Sequence, residues 1–381
     1  MTGFRVGVMD TALAARPAVD VLMRSNYLAA AAARVDSFWG PDHINGLLPR
    51  SLWKPEFCGA AKLIPRSDAH LEAWTTLGYL AARNRLGQLR LGVAVTDAGR
   101  RNPAVTAQAV TTLHLLTKGR AILGIGTGER EGNEPYGVDW SKPVARFEEA
   151  LATIRALWNS GGELVNRESP YFPLRNAVFD LPPYAAKWPE IWVAAHGPRM
   201  LRLTGRFADA WFPYSPHVSR RYAQHLDIVR TAASDYGRDP MAVLPAMLAM
   251  VITGRNRDDV NEVMESELVK AWTLTASGEL FADCGAIHPL GEDFSGLQDI
   301  QPYIMDEESA RSYTSAVPVS VVRQAHLCGT PSEVVEQAAQ WRAQGLRYLV
   351  VANISVLQPS LRKGLATTLA FNKVVHGLKR L

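Results

Sequence analysis

Eight short, almost continuously apolar runs are spaced along the chain, and stretches of helical periodicity separate them. A strand with one face in solvent alternates between apolar and polar residues, whereas a near-continuous apolar run is typical of a strand covered on both faces, as in a parallel sheet. The pattern therefore predicts eight parallel strands. The runs cover residues 4–10, 36–42, 89–96, 121–129, 190–197, 208–214, 246–254 and 347–354.

Residues that favour helix starts and stops occupy the intervals between these runs. Asn102 and Pro103 open a helical pattern as N-cap and first helical residue, and Gly119 closes it. Two further helices are predicted to begin at Ser141 and Pro198. The last predicted helix is capped by Thr330, Pro331 at its first position, Glu333 two residues later and Gly345 just past its end.

The alternation of strands and helices predicts a (β/α)8 TIM barrel, with a doubly wound open sheet as the alternative. We expect one domain over residues 1–381. Three intervals exceed the length of a simple strand–helix unit, and we expect them to carry insertions over one end of the barrel: 44–87, 130–189 and 255–346. The last is rich in Gly, Pro and acidic residues and is predicted to form a lid or to shape the substrate site.

Composition narrows the class of protein. Hydrophobic residues make up 47% and charged residues 20%, with a net charge of +4 and no Lys/Arg block, so nucleic acid is not an expected partner. The three cysteines show no C-x-x-C spacing, which argues against a disulfide framework. No signal peptide and no apolar run of spanning length are found, so we expect a cytoplasmic protein without a membrane span.

In a (β/α)8 barrel the site forms at the carboxyl ends of the strands, so the residues that end each apolar run are informative. The second run ends in "DSFWGPDH", where Asp42 and His43 follow an aromatic strand. The later runs end on Glu129, His196 and Tyr214. We expect these side chains to converge on one mouth.

His43 and Glu129 suit proton transfer. An imidazole titrates near neutral pH, and burial raises the pKa of a carboxyl group into the working range. The alternative is that His43 only caps a loop and that Glu129 only pairs with a basic neighbour.

The run "GIGTGE" differs from the dinucleotide-binding fingerprint. Gly124 and Gly126 match its first two glycines, but Glu129 takes the third place and no helix follows directly. These glycines are expected to let the backbone approach a large flat group. Gly197 and Pro198 open a helix whose free N–H groups suit a phosphate, with Arg199 and Arg202 nearby, although an ordinary turn fits equally well.

Other chemistries have less support. The chain has no H-E-x-x-H and no G-x-S-x-G motif. Asp42, His43 and Glu129 are able in principle to ligate a metal, but a metal site is not predicted.

Four segments together resemble the bacterial-luciferase-like superfamily, in particular its branch that uses the deazaflavin coenzyme F420. They are "DSFWGPDH", "LGVAVTDAGRRNPAVTAQA", "AILGIGTGEREGNE" and "PEIWVAAHGPRMLRLTGRFADAWF". The resemblance covers nearly the whole chain. Each segment alone is weak evidence for this superfamily, but the combination of all four is specific.

The resemblance implies a set of site residues. Asp42 and His43 are expected against the deazaflavin, and Glu129 is expected to be an active-site acid. A cis peptide bond under the ring is expected between Val93 and Ala94. The remaining implied cofactor contacts are Asn133, Ala194, Ala195, His196, Gly197 and, near the phosphate, Tyr214.

The chain also departs from the sugar-phosphate dehydrogenases of this branch. Leu47 stands where they have an active-site Trp, and His217 where they have a phosphate-binding Lys; Arg323 is a loose candidate for an Arg ahead of the last helix. These changes favour an uncharged, apolar substrate.

The predicted function is an F420-dependent ketoreductase that transfers hydride to a ketone of a long-chain lipid. His43 is the first candidate for the proton donor, Glu129 the second and His196 the third. The alternatives are an FMN-dependent monooxygenase and a non-catalytic ligand carrier on the same fold. A homodimer is expected from the family.

Overall fold

The computed structural model of the protein describes residues 3–84, 89–214 and 219–381. Twelve strands lie in this part of the chain. They are β1 Arg5–Met9, β2 Ser37–Gly40, β3 Arg90–Val93, β4 Thr96–Asp97, β5 Ala121–Gly126, β6 Val165–Arg167, β7 Leu174–Ala177, β8 Glu190–Val193, β9 Ala210–Trp211, β10 Leu244–Thr253, β11 Leu327–Gly329 and β12 Tyr348–Asn353.

Eight of these strands close into a parallel barrel, which confirms the predicted (β/α)8 fold and shows that the open sheet was wrong. The order is β10-β12-β1-β2-β3-β5-β8-β9, and β9 pairs with β10 to complete the circle. Each of the eight predicted apolar runs coincides with one barrel strand, although β10 begins two residues before its run. The strands that the apolar pattern did not separate or predict are β4, which follows β3 and pairs with β5, the antiparallel hairpin β6–β7, and β11, which pairs with β10.

Helices surround the barrel and cover its mouth. The predicted N-cap of α3 is confirmed, since the Asn102 side chain accepts a hydrogen bond from the Ala104 N–H at 2.9 Å. The described α-helices are α1 Val21–Ala32, α2 Ala73–Ala81, α3 Pro103–Leu116, α4 Pro143–Trp158, α5 Pro198–Phe207, α6 Ser219–Asp235, α7 Arg257–Met264, α8 Glu267–Thr273, α9 Gly278–Asp283, α10 Glu307–Ser315, α11 Val319–Ala325, α12 Pro331–Ala343 and α13 Leu361–Leu378.

The other predicted helix ends mostly agree with the structure. Helix α12 has the expected capping box, in which Glu333 accepts from the Thr330 N–H at 2.8 Å. The helix predicted to begin at Ser141 begins at Pro143 instead: Lys142, in a left-handed conformation, is its N-cap, and the Ser141 N–H donates to Asp139. Among the described helices, none combines the length and the apolar character needed to cross a membrane.

Large aromatic side chains fill the lower part of the barrel. Trp192 lies with its ring centroid 5.1 Å from that of Trp39 and 4.9 Å from that of Tyr348, and Phe212 contacts both Trp rings. We call these four residues the aromatic plug. A Cβ at Gly92 would lie 2.4 Å from the Trp39 ring, so a glycine is needed beside it.

Above the plug the inward-facing residues are small, and the barrel opens. The segments 44–87 and 255–346 cover this open end and contribute cavity residues. Segment 130–189 agrees with the expectation only in part: its start, with Glu131 and Asn133, lies at the mouth. Its hairpin β6–β7 connects the end of α4 to the start of β8 and therefore lies at the opposite end of the barrel. There Trp188 stacks on Trp158.

Candidate active site

A cavity of about 960 Å³ lies at the carboxyl ends of the barrel strands. Part of its barrel wall is formed by small residues at the carboxyl ends of β3, β5 and β8, namely Ala94, Gly126 and Ala194. Concave, mostly apolar cavities with a few polar groups are the usual form of a small-molecule site. This position agrees with the mouth expected from the strand ends.

His43 and Glu131 form a buried pair at one side of the cavity. His43 Nδ1 lies 3.0 Å from Glu131 Oε1, with the two side chains 13% and 0% exposed. Burial opposes the charged imidazole, but the hydrogen bond to Glu131 and the charges of Glu129 and Glu131 outweigh it and raise the pKa of His43 to about 9. His43 is therefore an imidazolium at neutral pH and carries a proton toward the cavity.

The ring nitrogen Nε2 of His43 makes no hydrogen bond to any described residue. Because Nδ1 is engaged by Glu131, Nε2–H is the group that can donate to a ligand.

Glu129 lies beside this pair and titrates differently. Burial raises the pKa of Glu129 to about 7, with the His43 charge opposing the rise and the Glu131 and Asp97 charges adding to it. Two acids and one imidazole thus share one pocket, and burial together with the neighbouring charges shifts the pKa values of His43 and Glu129 to different values.

An arginine cluster connects the strand ends behind the cavity wall. Arg101 binds the Asp42 carboxylate with Nε and Nη2 at 3.0 and 2.9 Å, and Thr96 donates to it at 2.6 Å. Arg100 donates to the Asp42 backbone carbonyl. Burial alone raises the pKa of a carboxyl group, but Arg101 and Arg100 hold the pKa of Asp42 below its ordinary value. Asp42 is therefore the ionised centre of this cluster, and it immediately precedes His43 in the chain.

Asp97 and Asn133 fix the loop that carries the two glutamates. Asn133 Nδ2 donates to the Asp97 carboxylate and, at 2.7 Å, to the Glu129 carbonyl. Gly128 has φ +82, and a Cβ there would lie 1.9 Å from Asp97 Oδ2, so the loop requires glycine at this place.

Eight of the eleven predicted site residues line the cavity, and three do not. The eight are His43, Glu129, Ala94, Ala194, Ala195, His196, Gly197 and Tyr214. Asp42 and Asn133 lie behind the wall in the networks described above. Val93 is fully buried on the outward, helix-facing side of β3, because successive strand residues point to opposite faces.

The predicted place of the cis peptide bond was wrong by one residue. The bond lies between Ala94 and Val95, not between Val93 and Ala94. Both Ala94 and Val95 line the cavity.

The two glycines of "GIGTGE" have different roles. A Cβ at Gly124 would lie 1.9 Å from the Val93 carbonyl oxygen, so Gly124 makes room for the neighbouring strand. Gly126 borders the cavity, as the prediction of close approach to a large group requires.

The remaining predicted residues are placed as follows. The Tyr214 hydroxyl accepts from Trp272 Nε1 at 2.9 Å, and burial raises the pKa of Tyr214 to about 12. His196 is exposed at the cavity rim, and Leu47 is buried in its lining. His217 lies outside the described residues, and Arg323 is exposed on α11 away from the cavity.

The acidic cluster also has the geometry of a metal site. Ligand atoms of His43, Glu129 and Glu131 all lie within 4.8 Å of one another, whereas Asp42, weighed as a ligand from the sequence, is engaged by arginines. A metal ion would have to displace the proton of His43, because imidazole binds metals only in its neutral form.

Glu131, Arg100 and Arg101 are the functional residues that the sequence reasoning missed. Glu131 is separated from His43 by 88 positions, and no local pattern marks it apart from the other acids of "EREGNE". Arg100 and Arg101 are adjacent in "DAGRRNP", and two neighbouring cations directly after a strand are a local signal for a carboxylate partner at the strand ends.

Known proteins resemble the chain in sequence and in fold. The model of the luciferase-like monooxygenase family matches residues 35–348. A protein of Mycobacterium sp. (strain JLS) named phthiodiolone/phenolphthiodiolone dimycocerosates ketoreductase is 66% identical over 381 residues, which is the full length of both chains.

Two solved structures share the fold at low sequence identity. An F420-dependent secondary alcohol dehydrogenase in complex with an F420-acetone adduct has a TM-score of 0.73 at 17% identity, over 98% of this chain and 99% of that one. The oxygenating constituent of 3,6-diketocamphane monooxygenase from Pseudomonas putida, in complex with FMN, has a TM-score of 0.64 at 16% identity, over 100% and 98%. The chain belongs to the luciferase-like monooxygenase family.

Proposed function

We propose that the protein is an oxidoreductase that uses reduced coenzyme F420 to reduce a ketone of a long-chain lipid to a secondary alcohol. The relative at 66% identity is named for the reduction of phthiodiolone and phenolphthiodiolone dimycocerosates, and we assign this substrate class to the chain. The observation that carries the proposal is the buried His43–Glu131 pair, which holds a proton at the wall of an apolar cavity.

The cavity wall fits a flat tricyclic ring. Ala94, Gly126 and Ala194 form a surface without protruding side chains, and a Cβ at Gly126 would already lie 3.6 Å from the Ala194 Cβ. The start of α5 lies at the same cavity through Gly197 and Pro198. Its first-turn N–H groups lack helical acceptors and therefore suit the phosphate of the cofactor side chain.

When bound, reduced coenzyme F420 supplies a hydride to the carbonyl carbon. The chain must then orient the ketone and deliver one proton. We assign proton delivery to His43, whose Nε2–H donates a hydrogen bond to the ketone oxygen and protonates it as the negative charge develops. Glu131 keeps the imidazole charged and fixes Nδ1 as the second donor.

Glu129 is the second candidate for this role. With a pKa of about 7 it is half protonated at neutral pH, so it can reload the pocket with a proton between turnovers. Hydride and proton together convert the ketone to the alcohol, and no further reactant is needed.

The apolar part of the cavity favours a lipid over a sugar phosphate. Leu47, Trp53 and Ile64 from the segment above the barrel line it, and all three are buried. An uncharged carbonyl bordered by hydrocarbon matches such a lining, because a phosphate would lose its hydration there without a compensating cation.

The first test is an anaerobic assay of the purified protein with reduced coenzyme F420 and a panel of ketones, followed by the absorbance of the oxidised cofactor. We expect cofactor oxidation that depends on the ketone. A flavin-dependent monooxygenase is the second candidate, since one structural neighbour binds FMN. Tight FMN binding without deazaflavin binding would support that function instead, and cofactor binding without any turnover would support a carrier.

The second test is His43→Gln, which retains an amide N–H for Glu131 and so avoids leaving a buried, unpaired acid. Loss of the proton donor should lower kcat by about 10²- to 10⁴-fold. We expect coenzyme F420 affinity to remain within severalfold, as measured by fluorescence titration. Normal turnover of this variant would exclude His43 from proton delivery.

A further inference from the structure

The active-site cavity continues outside the barrel, between helices α1 and α13. Its lining on α13 includes Leu361, Leu365, Thr368, Phe371 and Val375. These positions are three or four residues apart and therefore lie on one face of the helix. They extend over about 21 Å along the helix axis, at 1.5 Å per residue.

The opposite wall is one face of α1, and small side chains keep the space open. Leu22 and Ala29 of α1 and Ala33 at its C-cap line the cavity at helical spacing, and Gly364 of α13 also lines it. Helices that pack closely interdigitate larger side chains, and Ala29, Ala33 and Gly364 offer none. We call the space between these two faces the side groove.

The side groove is continuous with the catalytic mouth. The same cavity is lined by His43 and Glu129 at the mouth, by Leu63 and Leu357, and by Val375 far along α13. A molecule that places a carbonyl beside His43 can therefore extend a chain past the rim and along the outside of the barrel.

The chemistry of the side groove matches hydrocarbon. Its one ionisable lining residue among the described positions is Asp10, which is buried and already accepts hydrogen bonds from Asn26 and from the Ala12 N–H. Leu365, at the edge of the groove, remains 50% exposed. The uncharged polar side chains of Asn26, Thr368 and Asn372 also line the groove, and the rest of its helix faces is apolar. A mostly apolar surface of this length indicates a ligand rather than solvent.

We propose that the side groove binds one long alkyl chain of the ketone substrate while the carbonyl lies at His43. This proposal rests on the ketoreductase function and adds to it a substrate-binding site on α1 and α13. It predicts that the affinity for the ketone increases with the length of its alkyl chain, because each methylene buried along the groove adds to the binding free energy.

The test is Leu365→Trp, which fills the groove from α13, with Leu369→Trp as the matched control. Leu369 lies one turn further on the same helix, is 70% exposed and does not line the cavity. For a long-chain ketone, Leu365→Trp should raise KM by at least about tenfold, the loss expected for two or three displaced methylenes. A short methyl ketone should be reduced as by the unmodified protein, and Leu369→Trp should change neither substrate.

A second pair of variants fills the groove from α1. Ala29 is exposed and lines the groove, so Ala29→Phe is compatible with the fold, and Leu28→Phe is its control. Equal effects on short and long ketones, or no effect of either groove variant, would overturn the proposal.

The side groove can be tested independently of whether the protein reduces ketones. Absence of ketone reduction by the unmodified protein would refute the ketoreductase and leave the groove testable, because binding of a fluorescently labelled long-chain ketone is measured by anisotropy without turnover. Loss of that binding in Leu365→Trp but not in Leu369→Trp would support the groove. A change in molecular mass by light scattering in Leu365→Trp would instead identify the groove as a contact between two copies of the chain, and the proposal would fail.

Discussion

The lower and upper parts of the barrel are formed by the same strands, but the lower part is a packed core and the upper part is a cavity. In the lower part, Trp39 and Trp192 fill the interior, and glycine on a neighbouring strand makes room for them. In the upper part, the inward residues Ala94, Gly126 and Ala194 are small, and the space becomes a cavity. On β8, the change from Trp192 to Ala194 marks the border between the packed core and the site.

Polar groups follow the same division. In the aromatic plug, Ser37 accepts from Trp39 Nε1 and from the Tyr348 hydroxyl, each at 2.6 Å. At the mouth, the second carboxylate oxygen of Glu131 is buried without a partner among the described residues. Unsatisfied buried groups lower the stability of the fold and concentrate at functional sites. The mouth therefore lowers the stability, and the packing of the aromatic plug offsets this loss.

The largest expected effect comes from removing the centre of the plug. Trp192→Ala should lower the free energy of unfolding by about 3–5 kcal/mol, because a fully buried ring that contacts three others leaves a cavity. The midpoint of urea denaturation, followed by circular dichroism, measures this loss. The control is His43→Gln at the mouth, which should shift the midpoint far less. Similar midpoints for both variants would contradict the division between plug and mouth.

A smaller effect is expected on the pH dependence of the mouth. A proton donor acts in its protonated form, so a pKa of about 9 at His43 predicts that ketone reduction falls as the pH rises through 9. In Glu131→Gln the hydrogen bond is neutral and one negative charge is lost, so burial dominates and the pKa of His43 falls. At pH 8 the rate should then drop by at least about tenfold, because most of the imidazole is deprotonated there once its pKa returns to about 6.5.

The same pH profile distinguishes the two candidate donors. If Glu129 supplied the proton, the rate would fall near pH 7, the pKa to which burial raises its carboxyl group, and Glu129→Gln would remove that limb. If the reaction rate falls near pH 7 and Glu131→Gln does not shift this fall, Glu129 is the proton donor.

Much of the fold could be predicted from the sequence, because apolar runs and helix caps are local patterns. Seven of the eight barrel strands lie within the predicted runs, and β10 begins two residues before its run. The hairpin β6–β7 was missed because its strands are short and mostly solvent-exposed, so no apolar run marks them. The start of α4 was predicted two residues too early, at Ser141, whose hydroxyl donates to Asp139 before the helix begins.

The site was predictable only where a residue ends a strand. His43 and Glu129 were found because the carboxyl ends of parallel strands meet at one mouth. Glu131 was missed because its contact with His43 exists only after the chain has closed the barrel. Val93 and Ala94 could not be separated without the register, since a shift of one residue reverses which side chain faces the cavity.

The smallest expected effect tests where the aromatic plug ends and where the cofactor wall begins, which is the surface of Ala94, Gly126 and Ala194 proposed to contact the deazaflavin ring. Gly124 and Gly126 face inward on the same strand, and only Gly126 borders the cavity. Gly126→Ala would place its Cβ 3.2 Å from a Val95 methyl group and narrow the wall against the ring. We expect coenzyme F420 to bind several times more weakly, a loss of about 1 kcal/mol, in a fluorescence titration.

Gly124→Ala is the matched control, because the same methyl group meets backbone there instead of the cavity. Its Cβ would lie 1.9 Å from the Val93 carbonyl oxygen, so the neighbouring strand has to move. Such overpacking should cost about 1–3 kcal/mol in the free energy of unfolding, whereas Gly126→Ala should leave that energy nearly unchanged. If both alanines lowered stability and neither weakened cofactor binding, the boundary between core and cofactor wall would lie above Gly126, and the ring would not rest on that wall.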